Sequence, residues 1–184
     1  MKKTLIGGIG NVLLGDDGIG PYVIHMLESR YAFEEDVEVA DLGTPALDLT
    51  HRIAGLHSVI LVDCIASSDH EPGTVLLYDK EEIMRQVPSQ RLDPHSPALV
   101  ECLMTADMLG AMPERVLLVG IVGATFEPGE TISPVVREAA GAAISELLHC
   151  LKQQGTNVKE KMIPSDPAMW WSTEFAISSS PAQG

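Results

Sequence analysis

The stretch "HSVILVDCIA", from His57 to Ala66, constrains the fold of this chain more than any other. Its centre is a continuous apolar run rich in β-branched residues. A strand with one wet face would alternate apolar and polar side chains. A run without alternation reads as a strand buried on both faces, and such strands belong to parallel sheets covered by helices on both sides.

The flanking segments fit that expectation. "KTLIGGIG" is a second, shorter apolar strand candidate. Ile19, Val23, Ile24, Leu27 and Tyr31 recur at helical spacing, so residues 19–31 read as an amphipathic helix. "DVEVADLG" alternates with period two and reads as a strand. "ALDLTHRIAG" reads as a short helix with a stop at Gly55. "GTVLLYDK" is a strand that follows its predecessor too closely for a helical crossover, so it is expected to run antiparallel near a sheet edge. Residues 96–110 read as a helix and "RVLLVGIVG" as a strand. A long final helix opens with Ser133 as cap and Pro134 at its first position, and Gly155 lies past its end.

Strands and helices in alternation predict an α/β protein. Residues 1–156 are expected to form one domain, and residues 157–184 a flexible tail whose apolar patch is "MWW", with Trp170 and Trp171. A chain of 184 residues is long enough to bury a sizeable core.

The formal net charge of −14 repels phosphate backbones and anionic lipid, which argues against nucleic-acid and membrane partners. No segment has the ~20 apolar residues of a membrane span. The run after "MKK" is broken by Gly7, Gly8, Gly10 and Asn11, so it does not read as a signal peptide. Cys64, Cys102 and Cys150 are odd in number and widely spaced, which fits reduced thiols in the cytoplasm.

In open α/β sheets, ligands gather beyond the carboxyl ends of the strands. Three polar signals fall there. The first strand runs into "GNVLLGDDG", the third ends with Asp63 closing its apolar run, and the loop before the residue-96 helix carries His95 in "DPHSP". The glycines of the first loop are neither the dinucleotide fingerprint nor a P-loop, since no lysine follows. Asp16 and Asp17 would repel a nucleotide phosphate and welcome a cation. Helix capping needs only one of them, and Asp16 is the candidate for that structural role, worth ~1 kcal/mol or less. Asp63 ends an apolar run, so its carboxylate needs a local backbone donor or a cation. His95 lies between two prolines, and imidazole is the commonest transition-metal nitrogen ligand. Asp17, Asp63 and His95 together offer two oxygens and one nitrogen, a set suited to a borderline divalent ion such as nickel or zinc. The other histidines, His25 among them, read as surface or packing residues. No H-E-x-x-H or G-x-S-x-G pattern is present, and Cys64 points away from Asp63 on its strand, a packing position.

In order along the chain, "GIGNVLLGDDGIG", "DLGTPALDL", "VILVDCIAS", "DPHSPAL" and "LVGIVGATFEPGETISPVV" resemble the hydrogenase maturation endopeptidases. The resemblance spans roughly residues 4–150. It implies a three-layer α/β sandwich: a twisted, mostly parallel five-stranded sheet with one antiparallel strand and helices on both faces. It also implies removal of a C-terminal extension from the precursor of a nickel–iron hydrogenase large subunit after nickel insertion. The family's nickel-contacting positions fall on Asp17, Asp63 and His95, with nickel supplied by the substrate. Many members carry glutamate at the position of Asp17 and glutamine after the histidine, where this chain has Ser96. Gly43 and Thr44 of "DLGT" are expected to wall the cleft. Whether nickel or a carboxylate activates the attacking water stays open at this level. A non-catalytic, metal-dependent chaperone of the same subunit is the alternative reading, and a nucleotide-binding α/β domain a third.

Overall fold

The computed structural model describes residues 3–44, 48–85, 96–167, 169 and 171. Strand β1 (Thr4–Ile9) leads through a 3-10 turn (Gly15–Gly18) into helix α1 (Ile19–Arg30). Next come β2 (Tyr31–Phe33), β3 (Val37–Gly43), α2 (Asp48–Ile53), β4 (Ser58–Ile65) and β5 (Val75–Asp79). The chain continues with α3 (Lys80–Arg85), α4 (Ser96–Met108), β6 (Arg115–Val122), α5 (Pro134–Gln153) and β7 (Val158–Glu160).

Five strands form the main sheet in the order β3-β1-β4-β6-β5. The apolar run is its centre: all of β4 is buried, and it pairs in parallel with β1 on one side and β6 on the other. Strand β5 runs antiparallel to β6 at the edge, as the short link before it requires. Alternation along β4 divides its side chains between two cores. Ile60, Val62 and Cys64 enter a cluster with Val23, Ile24 and Leu27 of α1 and Val136, Ala143 and Leu147 of α5. Val59 and Leu61 enter a cluster with Leu49 and Ile53 of α2, Ile83 of α3, and Leu99 and Leu103 of α4. Helices therefore cover both faces, and the sandwich has three layers, as expected. Truncating a fully buried member such as Leu61 to alanine is expected to cost ~2–5 kcal/mol. Among the described residues no helix is long and apolar enough to cross a membrane.

The first turn of α1 sits directly on the sheet. A Cβ at Gly20 would overlap the carbonyl oxygens of Ile9 and Val62, so only glycine lets the helix approach the ends of β1 and β4 this closely. That approach brings the loop after β1 to the carboxyl end of the central strand.

Two features were not foreseen. The short helix α3 follows β5 directly, where the sequence reading ended at a strand. Within the segment read as a tail, β7 pairs antiparallel with β2, from Tyr31↔Glu160 to Phe33↔Val158. The period-two signal is too weak in three residues to be seen in "VKE".

Candidate active site

The carboxyl edge of the sheet collects the acidic residues. The 3-10 turn carries Asp16 and Asp17, both fully buried, and packs against β4, which carries the buried Asp63. Short polar chains at a turn, followed by Gly18 and Gly20, give the chain its tight exit from β1 into α1. Gly10 has φ +141, and a Cβ there would overlap the carbonyl oxygen of Asp17. The loop therefore folds back on itself closely enough for Asn11 N–H to donate to Asp17 Oδ2 at 2.7 Å. Asn11 in turn accepts Leu13 N–H on Oδ1 at 3.0 Å, an Asx turn.

Asp63 takes the local solution expected of a carboxylate ending an apolar run: its Oδ1 accepts Cys64 N–H at 2.8 Å. By alternation its side chain lies on the Val59 and Leu61 side of β4, the layer to which α4 belongs. Cys64 lies on the opposite side, in the α1–α5 core, and has the packing position expected of it.

Asp16 departs from expectation. It makes no capping bond to α1, whose N-cap is Gly18. Its Oδ2 accepts Ala124 N–H at 2.7 Å, Thr125 N–H at 3.1 Å and the Ser133 hydroxyl at 3.0 Å. Its Oδ1 accepts Ser133 N–H at 2.6 Å. Asp16 thus ties the site-bearing turn to the loop after β6 and to the start of α5. Ser133 is the N-cap of α5 as read, but its hydroxyl is committed to Asp16 and makes no cap bond. No sequence rule points from position 16 to position 133. The reach is long-range, and only the assembled sheet reveals it.

His95 lies outside the described residues. Ser96, its successor, opens α4. Helix α4 ends just before the start of β6, near the opposite edge of the sheet, where Gly55 N–H donates to Ala111 O at 2.7 Å. Thirteen residues at ~1.5 Å each span roughly 20 Å, so α4 rises from the carboxyl edge. Among the described residues no three His, Cys, Asp or Glu side chains converge as a metal site. Asp17 and Asp63 supply two carboxylates at one edge. Of the cleft wall read in "DLGT", Gly43 stands at the end of β3 with φ +57, and its carbonyl accepts Gly10 N–H at 2.8 Å.

Sequence reading also placed His25 as a surface or packing residue. It is only 15% exposed, and its Nε2 lies 3.3 Å from Asp41 Oδ2. No sequence pattern points from position 25 to position 41; "DLG" shows only that Asp41 is set to accept the N–H of Gly43, which it does at 2.9 Å.

Fold and acidic residues together define the class: an α/β protein with buried carboxylates gathered at the carboxyl edge of its sheet. Comparison with known proteins gives the family. The hydrogenase maturation protease family profile matches residues 21–150. Hydrogenase 2 maturation protease of Escherichia coli (strain K12) is 30% identical over 153 residues, covering 83% of this chain and 93% of that protein. The structure of the hydrogenase maturating endopeptidase HybD from E. coli superposes with a TM-score of 0.79 at 28% identity, covering 86% of this chain and 98% of that one. The solution structure of an endopeptidase from Escherichia coli gives 0.80 at 30% identity, over 88% and 97%. This chain belongs to the hydrogenase maturation protease family and is a hydrolase of peptide bonds.

Proposed function

We propose that this enzyme removes a C-terminal extension from the precursor of a nickel–iron hydrogenase large subunit, in the cytoplasm and after nickel has been inserted. Nickel enters the site as part of the substrate. Asp17, Asp63 and His95 meet it there.

The observation that carries this reading is the pair of buried carboxylates on adjoining elements, the turn after β1 and the end of β4, in a maturation protease. The donor set supports it. Carboxylate oxygens with one imidazole suit a borderline divalent ion. The start of α4 at Ser96 favours a contribution from His95 at the same edge. Two carboxylates without the metal repel each other and gain from a cation between them. A precursor that brings nickel is therefore recognised better than an empty one, and cleavage waits for loading.

Peptide hydrolysis needs water to attack the scissile carbonyl, a base to accept the water's proton and a proton for the departing amine. Substrate nickel would polarise the carbonyl or acidify the water. Either carboxylate has the chemistry to accept the proton. Mixing the protein with nickel-loaded and nickel-free precursor, and following the precursor C-terminus by mass spectrometry, tests the reading. Cleavage of the loaded form alone is expected. Equal cleavage of both forms removes nickel from recognition, and stable binding without any peptide product favours the chaperone reading.

A further inference from the structure

The described chain after α5 returns along α1. Lys161 N–H donates to Arg30 O at 2.8 Å, and Lys161 Nζ donates to Glu28 O at 2.6 Å. Ser165 N–H donates to Ser29 O at 3.0 Å. The indole of Trp171 then packs on the imidazole of His25, with ring centroids 5.2 Å apart and planes tilted by 59°. As the residue number rises from 161 to 171, the partner on α1 falls from Arg30 to His25. The segment thus climbs from the far end of α1 towards the carboxyl edge. The separation and tilt fall in the range of favourable aromatic pairing.

His25 passes this contact on. A carboxylate only accepts, so His25 Nε2 is the donor to Asp41 Oδ2 at 3.3 Å. The other oxygen of Asp41 accepts Gly43 N–H at 2.9 Å. Gly43 O accepts Gly10 N–H at 2.8 Å, and the next residue, Asn11, donates its N–H to Asp17 Oδ2 at 2.7 Å. An unbroken series of directional contacts therefore joins Trp171 to the carboxylate of Asp17.

We propose that Trp171 and His25 are positioning residues: Trp171, packed on His25, braces the end of β3 and, through it, the loop that aims Asp17. The proposal rests on the reading of Asp17 as a contact for the substrate's metal. Each member has a geometric reason to transmit. Gly43 holds a left-handed conformation, with its N–H fixed by Asp41. Gly10 has no freedom to move toward Asp17, because their backbones touch. Releasing His25 removes the bond on one oxygen of Asp41, whose other oxygen helps to hold the Gly43 turn.

The test uses full-length protein with Trp171→Ala, His25→Phe or His25→Gln. Two readouts are taken: amide resonances of Gly10, Asn11 and Gly43, and kcat and KM for precursor cleavage. Trp171→Ala and His25→Phe are expected to shift all three amides and leave Leu77 of β5 in place. Cleavage efficiency is expected to fall by about 2- to 30-fold, the range of couplings of this kind. His25→Gln keeps a donor for Asp41 and is expected to restore the Gly43 and Asn11 resonances in part. Unmoved Gly10 and Asn11 amides in His25→Phe overturn the proposal. A rise in KM alone, with the amides unmoved, assigns the segment to direct contact with the precursor and overturns it equally. Shifted amides in a protein that processes no precursor leave the brace standing and remove the proposed function instead.

Discussion

Two adjacent aspartates, Asp16 and Asp17, serve opposite ends. Asp16 satisfies four donors with two oxygens in a fully buried position. An asparagine there would turn an NH₂ group toward an N–H, so Asp16→Asn is expected to destabilise by ~2–4 kcal/mol in urea titration. That exceeds the helix-start effect read from sequence, because the partners are distant backbone groups and not the turn's own. Asp17 accepts the N–H of Asn11 and Asp63 that of Cys64, and an asparagine oxygen can still accept either. Asp17→Asn and Asp63→Asn are therefore expected to stay within about 1 kcal/mol of the parent in stability. Both should lose processing by roughly 100-fold or more. A parallel loss of folding, seen in the same urea titrations, would make them structural residues.

Among the elements, α1 is the one whose placement the site depends on, and two glycines separate close approach from mere helix propensity. Gly20 faces carbonyl oxygens of β1 and β4 with no room for a Cβ, so Gly20→Ala is expected to lift α1 off the sheet and cost at least ~3 kcal/mol. Gly141 stands exposed within α5 with nothing near it, so Gly141→Ala is expected to stabilise by ~0.5–1 kcal/mol. Thermal melts of the two variants should move in opposite directions. Long apolar runs such as "SVILV" and the periodic face of Ile19, Val23, Ile24 and Leu27 are set by burial, which sequence displays directly. The short connection before β5 dictated its direction. The β2–β7 pair was not legible, because three-residue strands carry no period and owe their pairing to where α5 delivers the chain. Of the candidate site, the places of Asp17 after β1 and of Asp63 near the end of β4 were legible as positions at strand ends, and His95 lies outside the described residues. The partners of Asp16 and the tie from His25 to Asp41 were not, since both join residues that only the finished sheet makes neighbours.

Across the whole molecule the three thiols report on packing. Cys64 and Cys102 are buried in opposite layers, and Cys150 is partly exposed on α5. Burial, and then the charge of Glu146, push the Cys150 thiol above its ordinary value, so less of it is thiolate near neutral pH. Alkylation of the native protein at pH 8 is expected to label Cys150 alone, more slowly than free cysteine, and to label all three in denaturant. Labelling of Cys64 in the native state would contradict the two-sided core. The acidic surface makes one further expectation global: added salt should weaken repulsion within a molecule of charge −14 and raise its melting point modestly.

The tie between Asp16 and Ser133 also sets a timetable. Their 117-residue separation means that the ribosome releases the turn long before its anchor exists. At ~5–20 residues per second, the wait is roughly 6 to 23 s. Through most of that interval the nascent protease carries Asp16 without any of its four distant donors. The loop after β6 and the start of α5 are what fasten Asp16, so an incompletely made copy cannot hold this acidic turn in its finished place.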